Sequence, residues 1–398
     1  MNAPKLRFKE FNDEWCLKTL NELYTFKNGI NGDRTQFGKG IKFISVGDIL
    51  NNNYITYDKI KGLIDIDEKT LLENSVEFGD ILFQRSSETR KDIGMSNVYL
   101  DSKLSTFGGF VIRGKKNKDN KNNPSFINYL LRSQTVRKDI VFRGAGAQHY
   151  NIGQEDLKKV SINIPSLVEQ NRISYLLELL DKKIELQTKK IEDLKLFKKG
   201  LLISKFSNKV KNKKLEEIIK KGKAGGTPKS TVQKYYDGTI PFLSISDISS
   251  QNKYIKHTEK CISEEGLKNS STWLVPKNSI ILSMYASYGL PCINKIELAT
   301  SQAMYSMIFK DDIDVEFIYY YLYYLQQINY YDRLVSTGTQ SNLNAEKVNK
   351  IKIYCPNYDI QKNISKLFVS CDRKILLEVN KLLKLQELKK GLMQNMFV

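Results

Sequence analysis

Two stretches of the chain repeat apolar residues at alternating steps of four and three. The first stripe contains Ile173, Leu177, Leu180, Ile184, Ile191, Leu194 and Leu201. The second stripe contains Ile364, Phe368, Cys371, Ile375, Leu382, Leu385 and Leu392. A mean step of about 3.5 residues is typical of helices that pair along an apolar seam. The pattern therefore predicts two long helices, one in the middle of the chain and one at its end.

Polar residues interrupt the two stripes at matching places. Gln187 and Lys198 break the first stripe, and Glu378 and Lys389 break the second, in each case 191 residues further along the chain. Matching seams with matching breaks favour two helices that pair with each other. The alternative is two independent amphipathic helices, each packed on the domain that precedes it. The predicted pairing seam consists of Ile173, Leu177, Leu180, Ile184, Ile191, Leu194, Ile364, Phe368, Ile375, Leu382 and Leu385.

The two regions in front of the stripes also resemble each other. Short apolar, β-branched runs between loops rich in Gly, Ser and Asn predict strands. These runs are 41–46, 80–83 and 109–112 in the first region and 240–245, 279–282 and 304–309 in the second. Each region also contains one predicted helix, 125–142 and 315–335. The second of these helices is rich in tyrosine, and we expect it to pack in a core rather than to stack on bases, because the first region has SFINYLLRSQ at the matching place.

The predicted fold class is α+β with an approximate two-fold internal repeat. Residues 1–165 and 208–356 form the two predicted front domains, and residues 166–207 and 357–398 form the two helices. Because the second front domain follows the end of the first helix closely, the second helix must run back antiparallel to pack on the first. We expect a rod of two roughly 40-residue helices, about 60 Å long, with a small domain at each end.

The charge of the chain is strongly positive. Lys and Arg number 63 against 44 Asp and Glu, which gives a net charge of +19. Residues 1–207 contribute +9, from 35 basic and 26 acidic residues, and residues 208–398 contribute +10, from 28 and 18. This even distribution predicts that both halves bind a polyanion. The alternative is a set of solvated lysine faces with no anionic partner.

Residues suited to catalysis are missing from the sequence pattern. The chain has 2 histidines and 5 widely spaced cysteines, so neither a zinc site nor histidine acid–base chemistry is expected. The segment Gly225–Ser230 contains a proline and lacks the spacing of a phosphate-binding loop. We therefore expect a non-catalytic protein without metal or cofactor. No apolar run approaches the roughly 20 residues that a membrane helix needs, so a cytoplasmic location is expected.

Polar and basic loops remain as the candidate recognition residues. Arginine can pair with guanine edges and amides can read adenine, whereas lysine, serine and backbone amides bind phosphates. In the first front domain the predicted DNA contacts are Lys42, Gln84, Arg85, Ser86, Arg90, Lys91, Arg143 and Gln148. In the second they are Lys223, Thr227, Lys229, Ser230, Tyr285, Ser287, Tyr288, Gln340 and Asn342.

These features occur in the same order as in a known protein family. The stretch Gly225–Ser230, the segment Tyr236–Ile248 and two helices that end in Lys-Lys-Gly-Leu resemble the specificity subunit of bacterial type I restriction-modification systems. The resemblance covers nearly the whole chain and implies two target-recognition domains that each read one half of a split DNA sequence. It also implies that the paired helices set the gap between the halves. The first domain departs from the pattern, because Phe26–Gly32 replaces the Gly-Gly-Thr-Pro opening of the second.

The same resemblance implies protein partners. Methyltransferase subunits, two of them, would dock on the helical part, and restriction subunits would dock on that assembly. Methylation and cleavage would then be activities of the partners. Two other interpretations stay open on the residues alone. One is a DNA methyltransferase or nuclease that acts without partners, and the other is a coiled-coil scaffold that binds acidic proteins.

Overall fold

The computed structural model describes residues 3–285, 287–335 and 343–398. The chain divides into two compact units. Unit 1 consists of Met1–Thr188 and Asn380–Val398, and unit 2 consists of Lys189–Val379. Each unit therefore contains one front domain together with part of each long helix. In the described ranges, no helix has both the length and the apolar character needed to cross a membrane.

Unit 1 combines short strands with short helices ahead of the first long helix. Its strands are β1 (Cys16–Thr19), β2 (Tyr24–Asn28), β3 (Phe37–Ile44), β4 (Gly62–Ile64), β5 (Ile81–Gln84), β6 (Ser86–Ser87), β7 (Ser96–Val98), β8 (Thr106–Phe107), β9 (Val111–Lys116), β10 (Tyr150–Asn151) and β11 (Ser161–Ile164). Its helices are α1 (Leu20–Leu23), α2 (Val46–Leu50), α3 (Glu68–Glu73), α4 (Pro124–Leu131), α5 (Gln134–Arg143) and α6 (Gln154–Lys158), followed by the long α7 (Leu167–Phe206).

Two sheets organise unit 1. One has the strand order β2-β9-β5-β7 and the other β4-β3-β8, and the pairs β1-β11 and β6-β10 complete the unit. Because side chains alternate along a strand, β5 supplies two cores at once. Ile81 and Phe83 pack with α4, whereas Leu82 packs with Ile44 and Phe107 of the second sheet.

Unit 2 repeats this arrangement. Its strands are β12 (Lys213–Lys214), β13 (Ile219–Ala224), β14 (Ile240–Leu243), β15 (Tyr254–Ile255), β16 (Lys260–Ile262), β17 (Ile280–Ser283), β18 (Pro291–Asn294), β19 (Ala299–Thr300), β20 (Met304–Phe309) and β21 (Lys352–Ile353). Its helices are α8 (Leu215–Ile218), α9 (Ile245–Gln251), α10 (Glu264–Lys268), α11 (Val315–Gln327), α12 (Ala345–Asn349) and the long α13 (Tyr358–Asn395).

The strand orders of the two units correspond, except that the larger sheet of unit 2 has one additional strand. The order β13-β20-β17-β18-β15 in unit 2 matches β2-β9-β5-β7 in unit 1, and β16-β14-β19 matches β4-β3-β8. The additional strand β15 has a shorter equivalent in unit 1, where Ile55 forms a single parallel bridge to Tyr99. The α+β class and the internal repeat predicted from the sequence are thereby confirmed.

Two predicted front-domain helices are shorter than expected. The helix predicted over 125–142 is two helices, because Ser133 has an extended backbone (φ −65°, ψ 154°) ahead of α5 and the backbone amides of Arg132 and Ser133 close the last turn of α4. The helix predicted over 315–335 ends at Gln327, because Asn329 adopts a left-handed conformation with φ of 53°. The tyrosine-rich segment packs in the core as predicted, with Tyr319, Tyr320, Tyr321 and Tyr324 buried.

The two long helices contact each other within each unit. In unit 2, Lys190 lies 3.0 Å from Glu378, Lys198 lies 2.5 Å from Asp372, and the Phe206 and Phe368 rings stack with centroids 5.8 Å apart. In unit 1, Lys389 lies 2.5 Å from Asp181. Ile173 and Leu177 share a core there with Met396 and Phe397. In both units the partner number falls as the α7 number rises, so the paired segments run antiparallel.

Side chains of the predicted seam are all buried or half-buried. Ile173, Leu177, Leu180, Ile191 and Phe368 are buried, and the remaining six are half-buried: Ile184, Leu194, Ile364, Ile375, Leu382 and Leu385. Of the four polar interruptions, Gln187, Lys198 and Lys389 are half-buried and Glu378 is buried. At Lys198, Glu378 and Lys389 the breaks in the stripe mark ion pairs between the two long helices.

A tyrosine, an aspartate and a lysine meet once in each unit. In unit 1 the Tyr129 hydroxyl donates to Asp181 Oδ2 at 2.8 Å, and the Lys389 ammonium contacts Asp181 Oδ1. Burial, with the Asp181 carboxylate beside it, raises the pKa of Tyr129, which keeps the phenol a donor. The contact joins α4 to both long helices.

The corresponding contact in unit 2 lies 191 residues away for each member. Tyr320 donates to Asp372 Oδ2 at 2.5 Å, and Lys198 contacts Asp372 Oδ1 at 2.5 Å. A further cation joins this site, because Lys253 Nζ lies 2.5 Å from the Tyr320 hydroxyl and 2.7 Å from Glu316 Oε2. Burial lowers the pKa of Lys253.

A glutamine anchors the start of each long helix to its front domain. Gln170 accepts from the backbone amide of Asn123 at 2.9 Å and donates to Pro165 O at 2.9 Å. Gln361 makes the same two bonds to Asp314 and Pro356, at 2.9 and 2.8 Å. Both glutamines are buried, so their amides satisfy groups that water cannot reach.

The cross-helix ion pair of unit 1 leads to a stability prediction. Asp181 has a side chain only 9% exposed, so Lys389→Met leaves a buried carboxylate with Tyr129 as its remaining described partner. We expect unit 1 to lose about 2 to 3 kcal/mol of unfolding free energy, below the full range for a buried pair because Lys389 is itself 24% exposed. Urea unfolding followed by Trp15 fluorescence in a Trp273→Phe background measures this.

Lys390→Met is the matched control, because Lys390 is the exposed neighbour of Lys389 on the same helix. We expect it to change the unfolding free energy by less than about 0.5 kcal/mol. Equal effects of the two substitutions would show that the ion pair does not stabilise the unit.

Candidate nucleic-acid interface

Two loops that carry predicted contacts lie side by side in unit 1. Strand β6 pairs with β10, so Ser86 and Ser87 face Asn151 and Tyr150. The Ser86 hydroxyl donates to Asn151 Oδ1 at 2.5 Å, and the backbone amide of Ile152 donates to Arg85 O at 3.0 Å. The segments 84–91 and 143–151 are far apart in sequence, and this pairing places them on one surface.

A third and a fourth segment join the same surface. The Arg85 amide donates to Phe110 O at 2.9 Å, and Ile30 bridges to Gly108. We name the combined surface of residues 28–33, 84–91, 108–110 and 143–151 the loop edge of unit 1. Its segments follow the ends of β2, β5, β8 and α5.

Four of the predicted contact residues on this loop edge have exposed side chains. They are Arg85, Arg90, Lys91 and Gln148. Ser86 and Arg143 are half-buried, and Arg143 forms an ion pair with Asp139 at 3.0 Å. The exposed cations can reach an anionic partner without breaking an internal ion pair.

Two predicted contacts have internal roles in the structure. Gln84 is only 6% exposed and donates to Ser86 O at 2.8 Å, so it supports the loop from beneath and does not present its amide to a ligand. The Lys42 ammonium donates to Ile60 O at 2.6 Å from the half-buried end of β3. The sequence pattern showed the type of these side chains but not the direction in which they point.

Arg137 fixes the loop that carries Arg90 and Lys91. Its guanidinium donates to the carbonyls of Lys91, Ile93 and Gly94 at 2.9, 2.6 and 2.7 Å. Burial lowers the pKa of Arg137 to about 10, so the group stays charged at neutral pH. The end of the loop is therefore held by charge-assisted hydrogen bonds.

In unit 2 the Gly-Gly-Thr-Pro segment occupies the position of residues 29–32. The Gly225 amide donates to Met304 O at 3.1 Å, as the Gly29 amide does to Val111 O at 3.1 Å. A side chain at Gly225 would lie 2.1 Å from Thr300 O, so this close approach requires glycine. The segment leaves Thr227, Lys229 and Ser230 exposed, with Lys223 exposed near the end of β13.

Three further predicted contacts of unit 2 lie on the loop after β17. Ser287 is exposed, and Tyr285 and Tyr288 are half-buried. The Tyr288 hydroxyl donates to Asp332 Oδ1 at 2.9 Å, and this bond raises the pKa of Tyr288. Gln340 and Asn342 lie outside the residues that the structure describes.

Backbone hydrogen bonds establish which residues of the two units are equivalent. The Ile30 amide donates to Phe107 O and the Gly226 amide to Thr300 O, which places Asn31 where unit 2 has Thr227. The Arg85 amide donates to Phe110 O and the Met284 amide to Ala303 O. Arg85 therefore corresponds to Met284, and Phe110 to Ala303.

Sequence reasoning missed Asn31 and Phe110. Both side chains are exposed and lie next to Arg85 on the loop edge of unit 1. The aligned repeat carries no similarity at these positions, because unit 2 has Thr227 and Ala303 there. The hydrophobic pattern gave no signal either, since a single phenylalanine in a glycine-rich loop resembles any other core residue.

Metal-binding residues do not cluster in the described ranges. Over 3–285, 287–335 and 343–398, no group of three or more His, Cys, Asp and Glu side chains is arranged to hold a metal ion.

Comparison with known protein families gives two matches within this one chain. The family described as "Type I restriction modification DNA specificity domain" matches residues 12–196 and again residues 207–387. Each match contains one front domain and the greater part of the long helix that follows it.

Individual relatives give the same picture. The MjaIX specificity subunit of Methanocaldococcus jannaschii is 29% identical over 143 residues, which is 35% of this chain and 33% of that protein. The MjaX specificity subunit of the same organism is 24% identical over 98% of this chain and 95% of its own length. The crystal structure of a type I restriction-modification S subunit from M. genitalium has a TM-score of 0.60 and 18% identity, over 100% of this chain and 99% of that one. The fold is therefore shared along the whole chain.

The exposed cations of the loop edge lead to a binding prediction. Each phosphate contact contributes about 0.9 to the slope of log affinity against log salt concentration. Replacing Arg85, Arg90 and Lys91 by alanine should weaken DNA binding and reduce that slope by about 2 to 3. A filter-binding or fluorescence titration of duplex DNA at several salt concentrations measures both quantities.

The control replaces Lys18, Lys39 and Lys158 by alanine. These side chains lie on the same unit and pair with the carboxylates of Glu22, Asp65 and Glu155, so the control removes three positive charges from paired positions. We expect the slope to stay unchanged. If both triple variants lower the slope equally, the cations act through overall charge and the loop edge is not a contact surface.

Proposed function

Because this chain belongs to the family of type I restriction-modification DNA specificity proteins, we propose that it selects the DNA sequence on which a restriction-modification complex acts. Its two target-recognition domains each read one half of a divided target. The observation that carries this proposal is the duplication itself. Two matches to one family, on two front domains of the same strand order, support two readers in one polypeptide.

The chemistry of the loops supports DNA as the ligand. The loop edge of unit 1 presents guanidinium, ammonium and amide groups, and unit 2 presents Thr227, Lys229 and Ser230 at the equivalent segment. Arginine and amide side chains recognise base edges, and lysine and hydroxyl groups bind phosphate oxygens. A net charge of +19, shared evenly by the two halves, adds a long-range attraction for the double helix.

The paired long helices act as the spacer between the two readers. Half-sites read from one face of DNA lie about 34 Å apart per helical turn, so a fixed separation between the domains selects a fixed gap in the target. The repeated Tyr–Asp–Lys contacts support this role, because they set the register of α7 against α13 in each unit. We expect a fixed register between α7 and α13 to give the helix pair a fixed length.

Exposed apolar residues on the long helices support protein partners. Leu186 and Leu377 are equivalent in the repeat and each 55% exposed, and the equivalent Phe197 and Leu388 are 60% and 53% exposed. We propose that these positions dock two methyltransferase subunits, one for each repeat, and that restriction subunits join the resulting complex. Large apolar side chains that stay exposed at equivalent positions of both repeats are suited to contact with a protein partner.

Two helix glycines support the same proposal. At Gly200 and Gly391, an added Cβ atom would meet no described atom within 4 Å, so the chain itself does not require glycine there. A glycine inside a helix costs about 1 kcal/mol relative to alanine. We propose that a partner backbone approaches both Lys-Lys-Gly-Leu segments closely. Glycine would then be needed at both positions although it destabilises the helix.

We propose that the chain itself is not a catalyst and that its partners carry out methylation and cleavage. The rival function is a DNA methyltransferase or nuclease that acts alone. Turnover by the purified chain, with a labelled methyl donor or with magnesium and DNA, would favour the rival.

The main test is a footprint of the complex assembled with its methyltransferase subunits. The DNA is chosen by mapping methylated adenines in host genomes with and without this chain. We expect two short protected blocks separated by a stretch whose sequence does not affect binding. The reason is that the two domains contact the bases and the helices between them do not. One continuous block, or protection that is independent of sequence, would contradict the bipartite reader.

The spacer role leads to a prediction about the gap. Seven residues inserted after Gln187, together with seven after Glu378, keep the 3.5-residue seam in phase and lengthen the helix pair by about 10 Å. We expect the preferred gap to grow by about three base pairs while both half-sites stay the same. Genome-wide methylation mapping of the variant gives the gap and the half-sites directly.

The control inserts the same seven residues after Lys118, in the exposed loop that follows β9. This variant should keep the original gap. A change of half-site sequence in the helix variant, or an unchanged gap, would show that the helices do not set the spacing.

A further inference from the structure

The turn between β8 and β9 holds one phenylalanine in solvent. Gly108, Gly109 and Phe110 form this turn, and its backbone is tied down on every side. The Gly108 amide donates to Ile44 O at 3.0 Å, the Val111 amide to Gly108 O at 2.8 Å, and the Arg85 amide to Phe110 O at 2.9 Å. The backbone of Phe110 is therefore fixed, and yet its side chain is 69% exposed.

Two polar side chains surround the same turn. Arg85 Nη1 donates to Gly109 O at 3.3 Å. Asn31 packs against Gly109 so closely that a Cβ atom at Gly109 would lie 1.9 Å from Asn31 Oδ1. Both side chains are exposed. The turn thus gathers an aromatic ring, a guanidinium and an amide within one small part of the loop edge.

This combination matches the chemistry of nucleobases. An aromatic ring stacks on the face of any base, whereas a guanidinium and an amide form hydrogen bonds with base edges. Phenylalanine side chains also insert between base pairs in some protein–DNA complexes. A rigid backbone is needed for such insertion, because a mobile loop would lose the gain from stacking in conformational entropy.

We propose that Phe110 is a base-stacking site of unit 1, and that Asn31 and Arg85 contact the edges of the neighbouring base pairs. The inference rests on the proposed function, since it specifies how the first domain reads its half-site. It assigns the ring to a nucleobase and not to a protein partner, because the residues that adjoin the turn are polar and cationic and lie on the same edge as Arg90 and Lys91.

The second domain reads DNA without this ring. At the equivalent turn, Ser301, Gln302 and Ala303 replace Gly108, Gly109 and Phe110, and Gln302 is hydrogen-bonded to Thr227. Unit 2 therefore has Ser301, Gln302 and the small apolar Ala303 at the turn where unit 1 presents an aromatic ring. The proposal accordingly predicts an effect on one half-site only, and the other half-site serves as an internal reference.

The test compares Phe110→Ala with the unchanged chain in the complex assembled with methyltransferase subunits, on a duplex that contains the mapped target. Loss of one stacking contact should weaken binding about tenfold to a hundredfold. Phe110→Trp should retain tight binding, because its ring also stacks. Phe142→Ala is the matched control, since Phe142 is 80% exposed on α5 of the same unit and should be without effect.

An abasic scan identifies the contacted base. Single abasic nucleotides are placed along both half-sites, and the affinity of each duplex is measured with both proteins. For the unchanged chain, removal of one base or two adjacent bases in one half-site should cost as much as Phe110→Ala. At those positions the alanine variant should lose nothing more, because the two changes remove the same contact.

Three outcomes would overturn the stacking site. They are unchanged affinity of Phe110→Ala on the target, additive losses at every abasic position, and failure of the variant to assemble with methyltransferase subunits, which would make the ring a protein contact. Failure of the proposed function is distinguishable, because the unchanged complex would then show no preference for its target over unrelated DNA.

Discussion

One carboxylate on each long helix, buried at Asp181 and half-buried at Asp372, is the constraint on which the architecture depends. Asp181 and Asp372 lie where the seam meets a front domain, and each needs a donor and a cation. The donor is a tyrosine of the front domain, and the cation is a lysine of the other long helix. One carboxylate therefore holds three elements together. Slippage of the helices by one turn would separate each lysine from its aspartate, so the contact selects one register.

The two units share the backbone structure of their turns and differ in the side chains that these turns expose. Main-chain hydrogen bonds at the turns are the same, from Gly29 to Val111 and from Gly225 to Met304. The side chains on those turns are not the same, since Asn31, Arg85 and Phe110 stand where unit 2 has Thr227, Met284 and Ala303. The two units therefore share their backbone hydrogen bonds at these turns and differ in the side chains that the turns carry.

Much of the fold was predictable because the spacing of apolar residues along the sequence is periodic. The 3.5-residue stripes and their 191-residue repeat were enough to predict two antiparallel helices and two α+β domains. Helix ends were less predictable, since they depend on single residues such as Ser133 and Asn329. The role of Lys198 and Lys389 was hidden for a different reason. A lysine in an apolar stripe looks like an interruption until its aspartate is located on the other helix.

The candidate site was predictable in kind more than in detail. Charge and loop composition pointed to Arg85, Arg90 and Lys91, which are exposed. Gln84 was chosen by the same reasoning, although its amide points inward to Ser86. Asn31 and Phe110 could not be found in this way, because only the backbone contacts of the folded chain bring them beside Arg85.

The main-chain anchoring of the turn between β8 and β9 bears on how such a protein can acquire a new target. Each described bond that holds this turn through its amides and carbonyls is indifferent to the identity of the side chains it presents. Phe110 is thus exchangeable with little effect on folding, whereas a side chain at Gly108 would meet the Phe43 ring and one at Gly109 would meet Asn31. On the proposed function, a few substitutions at this turn change the half-site of the first domain and leave the paired long helices unaltered.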